Sequence, residues 1–297
     1  MRHQRNKSLV GWIIGLMASL LVMLSFISGK SQEVKRFKTL EGALSNPSEV
    51  EWLELNDRFI TTFPEEVFLF PNLKYLDLSN SSIQAVPEKI FELKNLTYLN
   101  LSGTKINYLP SSITQLGSLM SIELSYLPEL DLSATLPLLG RIKSLKTIEL
   151  QYDNLITLPA QIKTLKNVEV LNLSGNPIKS LPLELAELPK LEVLYLNDDS
   201  EFDIDNSLEA LTRMKKLREL HLQNDGITAL PEDISNVVGL EYLYVGENKI
   251  KNLPISIRSM KNLKYIDLNK NPIPSPYRDQ YLEELSPSIK ININNRY

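Results

Sequence analysis

Residues 73–95 read LKYLDLSNSSIQAVPEKIFELKN, and residues 96–118 read LTYLNLSGTKINYLPSSITQLGS. The two strings align without a gap at an offset of 23 residues. A fixed period of this length marks a stack of similar units rather than one closed globule. Outward from this pair, units of the same form begin at Val50, Leu73, Leu96, Leu145, Val168, Leu217 and Leu240. Variant units begin at Leu119 and Leu191, and a truncated one at Leu263. About ten units therefore fill residues 50–275. Each opens with apolar residues at its first, fourth and sixth positions, as in Leu145, Ile148 and Leu150. The last two are spaced as a short strand requires. The second half carries apolar residues around a Pro, as in Ile178, Leu181 and Pro182, then Leu185 and Leu188 at near-helical spacing. That predicts a short helix with Pro in its first turn. No single unit can bury its apolar face, so neighbours must stack strand on strand and helix on helix, and the closer packing of strands curves the stack.

The recurring LxxLxLxxNxIxxLP pattern resembles the leucine-rich-repeat proteins, in particular the Pro-marked class shared by bacterial and plant intracellular Ras-group proteins. The resemblance implies an α/β solenoid, a horseshoe with a parallel concave sheet and short helices on its convex side. It also implies that the Asn of the pattern hydrogen-bonds turn backbone. Asn176, Asn248 and Asn271 hold that place here, against Ser81, Thr104, Asp153, Asp199 and Asp225 in other units and Arg58 in the first. The units at Leu119 and Leu191 are longer than the rest, running to Leu145 and Leu217, and share an acid-apolar-Asp-apolar string: Glu129 to Leu132, and Glu201 to Ile204. One long and two ordinary units separate Leu119 from Leu191, which points to a duplicated three-unit block with longer helical halves on the convex side.

Terminal units of a solenoid need caps. Residues 32–49, with Phe37, Leu40, Ala43 and Leu44, read as a helical N-terminal cap. Residues 276–297 read as a C-terminal cap, a helix carrying Tyr277, Tyr281, Leu282 and Leu285 followed by a strand at Ile289, Ile291 and Ile293. Residues 1–31 differ in kind. Arg2, Arg5 and Lys7 precede an uncharged apolar run from Leu9 to Ile27, the pattern of an export signal cleaved before Gln32. The alternative is an uncleaved membrane anchor over residues 9–27, since the run is just long enough to span a bilayer. The expected location is the periplasm or cell surface, with any membrane contact confined to that anchor. Cleavage removes Arg2, Arg5, Lys7 and Lys30 and no acid from a chain of net charge −4. The mature chain is acidic, which argues against nucleic acid as partner.

With no Cys and only His3 and His221, thiolate chemistry, a histidine metal cluster and a conventional triad are excluded, and no cofactor is implied. The third, fifth and seventh residues of each unit alternate with the buried leucines and so face the concave side. The third-position column runs Trp52, Tyr75, Tyr98, Ser121, Thr147, Val170, Val193, Glu219, Tyr242 and Tyr265. The fifth runs Glu54, Asp77, Asn100, Glu123, Glu149, Asn172, Tyr195, His221, Tyr244 and Asp267. The seventh is small and polar, and no Lys or Arg occurs in the three columns. Exposed aromatics with carboxylates suit a non-catalytic scaffold that binds a protein or peptide with a basic surface. The candidate binding residues are Trp52, Glu54, Tyr75, Asp77, Tyr98, Glu123, Glu149, Tyr195, His221, Tyr242, Tyr244 and Tyr265. The competing reading is a surface adhesion or glycan-binding module, in which Trp52 and Tyr75 stack on sugar rings. Weaker features carry less. The acidic run from Asp198 to Asp205 lacks calcium-loop spacing, and Glu123 beside Glu149 lacks the cleft that glycosidase chemistry needs.

Overall fold

The computed structural model describes residues 35–285 and 289–293. Twelve short strands form one all-parallel sheet in strict chain order. They are β1 (Arg36–Phe37), β2 (Trp52–Glu54), β3 (Tyr75–Asp77), β4 (Tyr98–Asn100), β5 (Ser121–Glu123), β6 (Thr147–Glu149), β7 (Val170–Asn172), β8 (Val193–Tyr195), β9 (Glu219–His221), β10 (Tyr242–Tyr244), β11 (Tyr265–Asp267) and β12 (Lys290–Asn292). Ten of these are the repeat strands, and β1 and β12 extend the sheet by one strand at each end. The expected signal or anchor over residues 1–31 lies outside the described residues.

The helical side is built from two kinds of segment. In the ordinary units a single 3-10 turn follows the Pro, as in Glu88–Glu92, Ala160–Thr164 and Leu183–Glu187. Pro does not sit inside the turn as expected. Pro87, Pro159 and Pro182 precede it in extended conformation, and each carbonyl accepts the first helical hydrogen bond, from Ile90, Ile162 and Leu185 at 3.0–3.1 Å. A ring that fixes φ near −70° suits this entry position as well as the first turn.

The two longer units carry full α-helices instead. Besides α1 (Leu40–Leu44) in the N-terminal cap, these are α2 (Leu132–Leu139) and α3 (Ile204–Arg213). The shared Asp of the duplicated string is the N-cap of each. Asp131 accepts from the Ala134 amide at 3.1 Å and Asp203 from the Asn206 amide at 3.0 Å, an arrangement that satisfies one orphan donor of the first turn. The extra residues thus change the helical side and leave the strand register intact.

A continuous core runs between the layers, with Leu76, Leu99, Ile122, Ile148, Leu171, Leu194, Leu220 and Leu243 all fully buried. Its N-terminal end is closed by β1, α1 and a 3-10 turn at Pro47–Glu49, so the cap is only partly helical. Phe37 and Ala43 are buried there, whereas Leu44 is exposed. The C-terminal end is closed by α4 (Ser275–Glu284) and β12. Tyr281 and Leu285 are buried against the core, and Tyr281 Oη accepts the Leu253 amide at 2.8 Å. Tyr277 and Leu282, expected in the same apolar face, remain exposed.

Just after each of the strands β3 to β11 the chain turns through the left-handed region at the eighth position of the unit. Asn80, Gly103, Tyr126, Tyr152, Gly175, Asp198, Asn224, Glu247 and Lys270 all have φ between 56° and 73°. Gly175 is required there for a second reason, since a Cβ would lie 2.3 Å from the Tyr152 ring that crosses it. Tyr152 thereby reaches Asp198, to which its hydroxyl donates at 3.1 Å.

Candidate functional site on the concave face

Parallel pairing in register turns the sequence columns into rows of touching side chains. Trp52 pairs with Tyr75 and Tyr75 with Tyr98 in one row, and Glu123 pairs with Glu149 in the next. At the N-terminal end the rings of Trp52 and Tyr75 stack with centroids 3.7 Å apart, and those of Tyr75 and Tyr98 stack at 4.2 Å. At the other end Tyr195, His221 and Tyr244 stack at 4.1 Å each, continued by a tilted Tyr265 at 5.3 Å. The columns that the sequence placed on one face do share it.

Their exposure differs from expectation. Trp52, Tyr75, Tyr98, Tyr195 and His221 are all under a tenth exposed, because parallel strands hold successive rings closer than a solvent layer allows. Trp52, Tyr75 and Tyr98 form a small apolar cluster of their own on this side of the sheet. The ring faces of Trp52 and Tyr75 that would stack on a sugar are stacked on each other. Tyr242, Tyr244 and Tyr265 keep intermediate exposure.

The carboxylates also differ from a plain acidic strip. Glu54 accepts from Trp52 Nε1 at 2.7 Å and lies 3.9 Å from both Arg36 Nη1 and Lys38 Nζ, cations brought by the cap strand β1 and the residue after it. Arg36 also covers the Trp52 ring at 4.4 Å, a cation–π contact. Asp77 is a turn residue: its Oδ1 accepts the Ser79 amide at 2.8 Å, as Asn100, Asn172 and Asp267 do for the amides two residues ahead of them. Burial raises its carboxyl above the usual range.

Glu123 and Glu149 occupy the middle of the face. Tyr98 Oη donates to Glu123 Oε1 at 2.6 Å, and Gln151 Nε2 donates to Glu149 Oε2 at 3.1 Å. Burial pushes the Glu123 carboxyl up to about 7, partly opposed by the Tyr98 hydrogen bond. Burial, with the neighbouring Glu123 charge, pushes Glu149 up to about 8. Burial raises the Tyr75 and Tyr98 hydroxyls too, helped by the Asp77 charge at Tyr75 and the Glu123 charge at Tyr98. At the far end His221 Nε2 lies 2.7 Å from Glu219 Oε1.

Sequence reasoning missed Arg36 and Lys38, which precede the first recognisable unit, and Ser121. The Ser121 Oγ is buried without a hydrogen-bond partner among the described residues. A basic pair in a cap gives no periodic signal. The small residues at the third position in units Leu119 to Leu191 were legible, and the pairing sets them in a row between Tyr98 and Glu219.

Three family models match the chain: a leucine-rich repeat region over residues 65–133, two copies of the leucine-rich repeat over 166–206, and a leucine-rich repeat over 215–273. No curated protein matches it. A leucine-rich-repeat protein of Leptospira interrogans is similar in structure, with a TM-score of 0.63 and 29% identity over 83% of this chain and 62% of that one. A chain of the Toll–Spatzle complex of Drosophila is similar in fold, with a TM-score of 0.58 and 21% identity over 84% of this chain and 38% of that one. The chain spans less than two thirds of the length of either.

Proposed function

Because the chain is a leucine-rich-repeat protein, we propose that it is an exported, non-catalytic scaffold that binds a protein or peptide partner along its concave face. The observation that carries this reading is the pair of in-register side-chain rows on an open sheet, ending in the half-exposed Tyr242, Tyr244 and Tyr265. Rigid aromatics held in place by stacking lose little entropy when a partner covers them. Strands spaced by about 4.8 Å make ten units an arc of roughly 43 Å, a scale suited to a macromolecule. The Toll–Spatzle complex is named for an assembly of two proteins, which agrees with a protein partner. Export rests on the charged-then-apolar pattern of residues 2–27. The glycan-binding alternative loses its platform, since the Trp52 and Tyr75 faces cover one another.

The test is affinity capture with residues 32–297, followed by titration of the captured partner against variants. We expect Tyr242→Ser with Tyr244→Ser to weaken binding at least about tenfold, a loss of about 1.4 kcal/mol. Lys163→Ala and Lys251→Ala, both on exposed positions away from the sheet, should leave it unchanged. Equal affinity for the double tyrosine variant and the two lysine variants would overturn the concave assignment.

A further inference from the structure

Between Tyr98 and Glu219 the third-position column drops to small side chains, Ser121, Thr147, Val170 and Val193. Tyr98 stands at one end of this run and Glu219 at the other, with Tyr195 on the Val193 strand in the neighbouring column, and the four strands of the floor span about 14 Å at ordinary strand spacing. Glu123 and Glu149 stand beside this floor on adjacent strands, paired Cα to Cα. Of the other acidic groups on the face, Glu54 has Arg36 and Lys38 beside it, Glu219 lies against the His221 ring, and Asp77 and Asp267 are taken up by turn and side-chain amides. Glu123 and Glu149 have hydroxyl and amide partners but no cation among the described residues. Two largely buried carboxylates side by side without a counter-charge are costly. Ser121, on the same strand and face as Glu123, is 6% exposed and its Oγ has no partner among the described residues.

Resting on the concave-face reading above, the geometry points to a seat for one cationic side chain of the protein partner, an arginine or a lysine, between Glu123 and Glu149. An arginine guanidinium offers five donors in a planar fork, enough to bridge both carboxylates and reach a hydroxyl. In the free protein the pair avoids its repulsion by holding a proton. The groups facing it are Tyr98 and Asp77 from the N-terminal side and Asn172, Gln151 and Tyr195 from the C-terminal side, none of them cationic. Arrival of the cation stabilises both ionised carboxylates, so the proton leaves to solvent as the side chain binds. The seat therefore reads a basic residue and couples binding to pH.

The experiment uses acetyl-Gly-Arg-Gly-amide as probe, with its citrulline counterpart as the neutral isostere, titrated into the chain at pH 7 while carboxyl resonances of Glu123 and Glu149 are followed by NMR. Calorimetry in two buffers of different ionisation enthalpy counts protons. We expect the arginine peptide to bind at least tenfold more tightly than the citrulline peptide, to shift both carboxyl resonances, and to release close to one proton. Glu123→Gln with Glu149→Gln, isosteric and neutral, should fold normally and lose that preference. Equal binding of the two peptides, no proton release, or an unchanged preference in the double variant would overturn the seat. A stronger response of the same resonances to calcium than to the arginine peptide would overturn it as well. Should the peptide fail while Tyr242→Ser with Tyr244→Ser still abolishes capture of a protein partner, the seat is wrong and the concave face stands.

Discussion

Asn176 and Asp225 hold the same turn position in two units and solve the same problem with different success. The Asn176 side chain makes four hydrogen bonds: Oδ1 accepts the Asp153 and Leu155 amides at 2.8 and 3.1 Å, and Nδ2 donates to the Leu150 and Leu173 carbonyls at 2.7 Å each. Asn248 repeats the pattern. Asp225 keeps one bond, from the Asp199 amide to Oδ1 at 2.9 Å, and its Oδ2 is buried without a partner among the described residues. Asp153 is the same, with the Leu127 amide at 2.7 Å and an orphan Oδ2. Each of these aspartates lies in the unit that follows one of the two longer units, at equivalent places in the duplicated block. An ionised carboxylate cannot replace the donor that Asn supplies, so the fold favours its protonated form. Burial pushes Asp153 up to about 7 and Asp225 up to about 9. The Asn units are thus indifferent to pH, and the Asp units are not.

The sign of the pH effect follows from linkage. A folded pKa above the unfolded value near 4 gives stability that is fully present below about pH 4 and lost as pH rises to the folded value. Between about pH 4 and 9 the Asp units should therefore weaken while the Asn units hold. The largest effect that would break the comparison is removal of an Asn. Asn176→Ala strands two buried amides and two carbonyls, and should cost about 3 kcal/mol or more in urea unfolding at any pH from 4 to 9. A cost under about 1 kcal/mol would mean the four bonds are dispensable.

Next in size, Asp225→Asn restores the missing donor. We expect a gain of about 1 kcal/mol or more at pH 8 and almost none at pH 4. A gain equal at both pH values would show that Asp225 is not protonated in the fold. The smallest of the three is Asp153→Asn, with the same direction over the narrower window up to about pH 7. Its gain should level off above that pH while that of Asp225→Asn continues to grow toward pH 9. Identical profiles for the two would remove the distinction between them.

Much of this was legible in the chain. The repeat offset set the strand positions, and the alternation within each unit assigned Tyr75, Tyr98, Glu123, Glu149 and Tyr244 to one face. The duplicated acid-apolar-Asp-apolar string pointed to longer helical halves, while the N-cap role of its Asp showed only in the structure. Less legible was the effect of proximity on the concave side. A column of tyrosines reads as exposed surface when each strand is considered alone, and only stacking at 3.7–4.2 Å closes Trp52, Tyr75 and Tyr98 to solvent. The short cap strand β1 has no repeat signature, so the cations it brings to Glu54 could not be placed from periodicity.

The sequence by itself determined the solenoid, because a period sets which residues recur at equivalent places and apolar recurrence at fixed positions leaves stacking as the way to bury them. It determined equally which side chains share the concave columns. The tertiary structure alone decided the state of those side chains. Whether a carboxylate finds a cation, a hydroxyl or nothing, and so whether it carries a proton at neutral pH, depends on neighbours from adjacent units and on the water they exclude. Burial and charge are properties of the assembled rows, and Glu54, Glu123 and Glu149, alike in the column, end in three different environments for that reason.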